Sequence, residues 1–301
     1  TTQDPGAAAI DRSDATDQNY GTRVVFTNSN PTALCGALCG GVAYTWSFPY
    51  YSGHEMYQPA WVFANYVPGA KNMAEAGAHE AGHTLGLLHD ECTTVNVACG
   101  GGTDYYEGHG IWAPIMGVGY YRPIVQWSKG EYALANNTED DVAILSNTIP
   151  YLGDESSSFA TAQIGLGGND YGIAYKGDQY SNWGVITTAS DVDYFKFFAP
   201  SGGTIAMSVT PVTMPDPPMA AVLSASPDLD ARLRLFNASG TQLAVFDPPS
   251  GQVSTDVASG LTVSTTFDLP SSGWFYLAVD GAQTDSTGDT GYTTYGSLGA
   301  Y

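Results

Sequence analysis

Asn72-Met-Ala-Glu75-Ala-Gly-Ala-His79-Glu80-Ala-Gly-His83-Thr-Leu-Gly86-Leu-Leu-His89-Asp90 is the stretch around which the rest of the chain can be arranged. On an α-helix, residues four apart stand one turn above each other on the same face, so His79 and His83 can aim two imidazoles at one metal ion. Glu80 then projects beside them without ligating. A general base needs that offset, because it must reach a metal-activated water and leave a coordination position open for it. A helix carried on past Leu85 would swing His89 away, whereas glycine at 86 can take positive φ and turn the chain back. The third imidazole thus returns to complete a three-histidine site, and the chemistry this pattern suggests is zinc-assisted hydrolysis.

The extended pattern His-Glu-x-x-His-x-x-Gly-x-x-His resembles the metzincin zinc endopeptidases. Their second signature is a methionine turn under the metal, and Ala113-Pro-Ile-Met116-Gly-Val-Gly looks like it. Without the zinc motif upstream, Met116 would read as a gap-filling core methionine. Asp90, directly after the third histidine, is similar to the adamalysin-like branch, where that aspartate anchors the neighbouring backbone. The resemblance implies an α+β metzincin-like catalytic domain with Zn²⁺ on His79, His83 and His89 and Glu80 as the base. Met116 and Asp90 would be structural supports. It also implies a protein or peptide substrate paired with the edge strand above the metal. Some relatives use a tyrosine just past the methionine on the metal or the oxyanion. Tyr120 and Tyr121 stand farther from Met116 than that, so they take this role or simply pack.

The family normally places another strand and a long helix before its edge strands, yet only 78 residues precede His79. The expectation is a catalytic domain either truncated at its N-terminal side or reduced in its upper half. Thr1-Thr-Gln-Asp-Pro-Gly reads like the end of a strand and a turn, as though upstream sequence had been removed.

At 301 residues the chain has room for two domains, each with its own core. The formal net charge of −21, from 9 basic and 30 acidic residues, argues against a sequence-independent grip on nucleic acid or anionic lipid. No apolar run approaches the roughly 18 residues of a membrane span. Cys35, Cys39, Cys92 and Cys99 form an even set with two close spacings. Two disulfides fit, although three connectivities are possible, and a structural Cys₄ zinc site is the alternative. Together these features suit a monomeric, secreted, extracellular protein.

Ahead of the zinc stretch, residues 21–26 and 41–48 read as strands, the second by the alternation of Val42, Tyr44, Trp46 and Phe48. Residues 59–67 read as a third, and Pro59 and Pro68 at its ends suit an edge strand. His54, in Ser-Gly-His-Glu, reads as a surface loop residue. Glu107 would be the third ligand of a thermolysin-like site, but it lies among glycines with no helical period, which favours His89. Thr138 and Asp141 make a capping-box-like start to a helix with Val142, Ile144 and Leu145 on its apolar side. That helix would close a catalytic domain of residues 1–152.

Residues 153–159 have linker composition. From 160 to 301 the helical signal vanishes and short strands recur between glycine, proline and asparagine turns, which indicates an all-β sandwich. This half resembles the pre-peptidase C-terminal domains behind secreted bacterial peptidases. The matching residues are Asp191-Val-Asp193-Tyr194-Phe, Asp228-Leu-Asp230 before Leu233 and Leu235, Tyr276-Leu-Ala-Val-Asp280-Gly, and Tyr295-Gly-Ser-Leu-Gly-Ala-Tyr301. A bacterial source is the corresponding expectation. Asp191, Asp193, Asp228, Asp230 and Asp280 either bind Ca²⁺ with nearby loop carbonyls or cap strands and face water.

The expected reaction is hydrolysis of peptide bonds in proteins, with Glu80 accepting the water's proton and passing it to the leaving amine. Metal binding needs neutral imidazoles, so activity should fall on the acid side. Two rivals stay open: a catalytically silent zinc-containing binding or adhesion protein, and a zinc hydrolase of non-peptide amides. The intact Glu80 weighs against the first, since a silent site has no need of that carboxylate.

Overall fold

The computed structural model describes residues 9–67, 69–94, 104–151, 157–164, 184–212 and 227–301, together with Gly6. The chain divides into two compact units, Thr1–His109 with Ala113–Pro150, and Gly110–Trp112 with Tyr151–Tyr301. The class is mixed α and β, with strands predominating. Among the described residues no helix is long and apolar enough to cross a membrane.

The first unit runs β1 (Val24–Thr27), α1 (Thr32–Cys35), β2 (Gly41–Val42), α2 (His54–Tyr57), β3 (Ala60–Phe63), α3 (Ala70–Leu85), β4 (Trp112–Pro114), β5 (Ile124–Gln126) and α4 (Asp141–Ser146). Three strands form a sheet in the order β1-β3-β2. β3 lies parallel to β1 and antiparallel to β2. Its Ala60, Val62 and Phe63 are buried, as β-branched and aromatic residues on a covered sheet should be. Helix α3 packs on this sheet through a core of Val62, Val67 and Ala76, with Met73 and Tyr120 against it.

Two strand expectations are corrected. Residues 59–67 do not form an edge: β3 is the central strand, and the ladder uses only residues 60–63, so Pro59 stands just outside the pairing and costs no sheet hydrogen bond. Pro68 lies outside the described residues. Residues 41–48 do not form one strand either. The chain leaves the sheet after Val42, and Trp46 takes a left-handed φ of 63°, which breaks the alternation. Helix α4 is capped by Asp140, whose carboxylate accepts from the Ala143 N–H at 3.0 Å, and not by the box that Thr138 and Asp141 suggested. Asp141 is instead buried and accepts from the Ser128 N–H at 2.9 Å.

A disulfide joins Cys35 to Cys39 across the end of α1, as one of the close spacings suggested. Cys92 is disulfide-bonded as well, and Cys99 lies outside the described residues.

The second unit contains β6 (Gln163–Ile164), β7 (Val185–Ile186), β8 (Asp193–Ala199), β9 (Gly203–Val209), β10 (Ala231–Asn237), β11 (Gln242–Phe246), β12 (Gly251–Gln252), β13 (Ala258–Ser259), β14 (Val263–Leu269), β15 (Gly273–Gly281) and β16 (Gly299–Ala300). Five of these make one sheet, β11-β10-β15-β8-β6. Alternation sorts its faces. Leu233, Val279 and Asp193 share one row, Leu235, Leu277 and Phe195 the next, and all six are buried. The antiparallel pair β9–β14 adds buried Met207, Val209, Val263 and Leu269, and packs against β10. Across the sheet's other face, Phe159 meets Tyr194, Tyr276 and Phe236 at ring-centroid distances of 4.7, 5.0 and 5.1 Å. Phe159 is therefore part of the second unit and not of a linker ending at 159; residues 152–156 lie outside the described residues.

Candidate metal centre

Helix α3 carries His79 and His83 one turn apart, with ring centroids 4.8 Å from each other. The helix stops because Gly86 adopts φ 109°, and its N–H returns to the carbonyls of Gly82 and His83. That turn brings His89 back, 5.2 Å from His79 and 4.7 Å from His83 between ring centroids. One nitrogen from each ring lies within 4.8 Å of the other two. Among the described residues, this is the one group of three or more histidine, cysteine, aspartate or glutamate side chains so gathered.

Main-chain carbonyls set the tautomers. His79 Nδ1 is 2.8 Å from the Ile115 carbonyl oxygen, and His83 Nδ1 is 2.8 Å from that of Leu87. A carbonyl only accepts, so each Nδ1 carries the proton and donates it, leaving a lone pair on Nε2. His83 Nε2 and His89 Nε2 are 2.9 Å apart, so the His83 lone pair faces an electrophile in the triad, whether a proton on His89 or a cation. All three rings are held below the usual histidine range, chiefly by burial; His79 is pushed to about 3, with the neighbouring His83 a further cause. Neutral imidazoles with fixed, convergent lone pairs fit a borderline-soft divalent cation such as zinc.

Glu80 is 7% exposed, and burial pushes its carboxyl up to about 8. Its Oε2 is buried with no hydrogen-bond partner. The rest of the carboxyl lies directly under Gly41 of β2, where a Cβ would collide with Oε1. The glycine thus allows the backbone of an edge strand to pass close over the acid. Among the described residues β2 pairs on one side only, with β3.

Met116 is fully buried with its sulfur against Gly82, the residue before His83. Burying such a side chain contributes about 1.5–3 kcal/mol. Asp90 ties this segment to the neighbouring His89 through its main chain: its N–H donates to the Met116 carbonyl, and its carbonyl accepts from the Tyr106 N–H, both at 2.9 Å. The anchoring is thus made by the backbone. The Asp90 carboxyl, 2% exposed and raised to about 7 by burial, accepts from the Tyr132 hydroxyl at 3.5 Å.

Tyr121 is exposed and Tyr120 packs on the sheet core, its hydroxyl pushed up to about 12 by burial first and then by Glu75 and Glu80. The aromatic ring beside the triad belongs to Tyr105, with its centroid 4.6 Å from His89 and 6.1 Å from His79. Its hydroxyl is raised by burial and then by Glu80. Sequence reading missed it, because its one local signal is an aromatic pair in the loop between the third histidine and Met116. Glu107 is not part of the triad. His54 is corrected from surface to core: it sits in α2, 1% exposed, with Nδ1 accepting from the Arg12 N–H at 2.9 Å.

In the second unit Asp191, Asp193, Asp230 and Asp280 have side-chain or main-chain partners nearby in the fold. Asp191 accepts from the Thr187 N–H and hydroxyl at 2.7 and 2.8 Å, and Asp228 is exposed. Asp193 accepts from the Tyr301 hydroxyl at 2.6 Å, and Asp230 from that of Tyr292. Asp280 holds Arg232 in a bidentate pair at 2.9 and 2.7 Å, with Arg234 at 2.7 Å. Compared with known proteins, the chain matches no family model, and no curated protein is significantly similar to it in sequence.

Proposed function

We propose that the chain is a secreted, zinc-dependent endopeptidase of the metzincin kind. The observation that carries this reading is the pairing of a convergent three-histidine triad with a buried, unpartnered Glu80 on the adjoining helical position. His79, His83 and His89 would hold the ion. Bound there, zinc supplies a Lewis acid that polarises a carbonyl and acidifies a water. Glu80 takes the proton of the attacking water on its carboxylate and delivers it to the leaving amine nitrogen. Burial alone keeps that acid protonated to about pH 8, and it returns to the carboxylate range only beside positive charge. The open side of β2 supports a peptide substrate, since an extended chain can add to a sheet edge through main-chain hydrogen bonds alone. In the second unit, the all-β architecture accords with an accessory domain.

The test is direct. Purified protein should contain about one equivalent of zinc per chain by plasma mass spectrometry, as a single catalytic ion requires. It should cleave casein or a peptide library, lose that activity to a chelator and regain it on zinc addition. Stoichiometric zinc with no cleavage of any peptide would reject the endopeptidase reading.

A further inference from the structure

Trp46 and Leu134 are the two non-glycine residues with positive φ among the described residues. A bulky residue in that region is strained, and such strain persists only where the surroundings over-determine it. Here they do. The Trp46 N–H donates to the His83 carbonyl and the Phe48 N–H to the Thr84 carbonyl, each at 2.8 Å, satisfying two carbonyls at the end of α3. The indole lies against Gly86, so closely that a Cβ on that glycine would overlap the ring. Gly86 stands midway between two metal-site histidines, so the ring is one residue layer from the triad.

Glycine or asparagine would serve this backbone with less strain. The chain instead places a tryptophan there and leaves it 56% exposed. Tyr44, two residues earlier, is 59% exposed and is braced edge-on by Tyr57 at 5.0 Å. Residues 41–53 contain no aspartate, glutamate, lysine or arginine. An uncharged, aromatic, water-facing surface that continues directly from the strand over Glu80 is arranged to receive apolar groups.

We propose that Trp46 and Tyr44 form an aromatic subsite that takes an apolar or aromatic side chain of the peptide substrate, upstream of the cleaved bond. This rests on the endopeptidase reading. The direction follows from strand geometry: a peptide adding antiparallel to the outer side of β2 runs opposite to it. Its residues over 44–46 therefore precede those over Gly41 and Glu80.

The experiment compares peptide pairs that differ only in Phe or Ala at one position, scanned along the upstream side. The ratio of kcat/KM within each pair should favour Phe about tenfold at one position in the wild type, the range of a single apolar subsite. Trp46→Gly, which retains access to positive φ, and Tyr44→Ala should bring that ratio toward one; Trp46→Asn is the second variant should the glycine form fold poorly. In parallel, the same peptides are titrated into Glu80→Gln protein with and without Trp46→Gly. Phe peptides should bind about tenfold more weakly when the indole is gone. A preference that survives loss of Trp46, or that lies downstream of the bond, overturns the subsite. Absence of any cleavage by zinc-loaded wild type, with the binding difference intact, overturns the hydrolytic reading and leaves the subsite standing.

Discussion

Both units bury acids, and Glu80 of the first is held unlike the acids of the second. In the second unit Asp280 is met by two guanidinium groups, Asp230 by the Tyr292 hydroxyl and Asp193 by that of Tyr301. Each sits on or beside a strand whose other side chains fill the core. In the first unit Asp141 is likewise met by the Ser128 N–H, whereas Glu80, equally buried, accepts no hydrogen bond at either oxygen among the described residues: Oε2 is enclosed without a partner and Oε1 faces a strand with no side chain to offer. A buried acid with partners is fastening the fold. One without partners costs stability and marks a candidate for chemistry.

The sharpest way to break this contrast is to replace each acid in turn. Glu80→Gln should lower kcat about a thousandfold while zinc content stays at the wild-type level, the scale of losing a general base. Turnover at the wild-type rate would put Glu80 in the same class as the structural acids. Asp280→Ala leaves Arg232 and Arg234 facing each other, and urea melts should show a loss of about 2–3 kcal/mol, the arginines being partly hydrated already. Zinc uptake should be unaffected.

A smaller effect distinguishes Asp230. Its folded-state value of about 6 lies above its ordinary 3.8, chiefly through burial, so the folded state holds the proton more tightly. Its contribution is therefore most favourable below about pH 4 and is lost as pH rises through about 6, amounting to about 3 kcal/mol in full and about 2 kcal/mol between pH 4 and 7. Comparing urea melts of wild type and Asp230→Asn between pH 4 and 7 checks this, and a difference that does not vary with pH would refute it. A comparable or smaller change is expected for Tyr292→Phe, about 1–2 kcal/mol, because the hydroxyl's bonds to the Asp230 carboxylate and to Ser250 Oγ are both removed. A larger loss from Tyr292→Phe than from Asp280→Ala would reverse the ranking of the two fastenings.

The parts of the site legible in the sequence are those fixed by local geometry. Helical spacing places His79 and His83 together, and the need for positive φ at Gly86 explains the return of His89. What could not be read depends on contacts distant in sequence. The alternation of Val42, Tyr44, Trp46 and Phe48 looks like a strand, but the carbonyls at the end of α3 pull residues 46 and 48 out of the sheet. His54 is buried among partners remote in sequence, the Arg12 main chain 42 residues away and the Tyr20 ring. Tyr105 joins the triad only through the fold. In the second unit the strands were legible from period-two patterning, whereas the partners of Asp230 and Asp280 come from strand register and from the C-terminal segment.

The acceptors that orient His79 and His83 are carbonyls of Ile115 and Leu87, not side chains. Every residue type supplies a carbonyl, so no single replacement at 115 or 87 can delete either acceptor. The orientation of the imidazoles is thereby insulated from mutation. The two acceptors survive whatever side chain stands at 115 or 87, so the imidazoles keep their aim wherever the backbone of these two residues keeps its path.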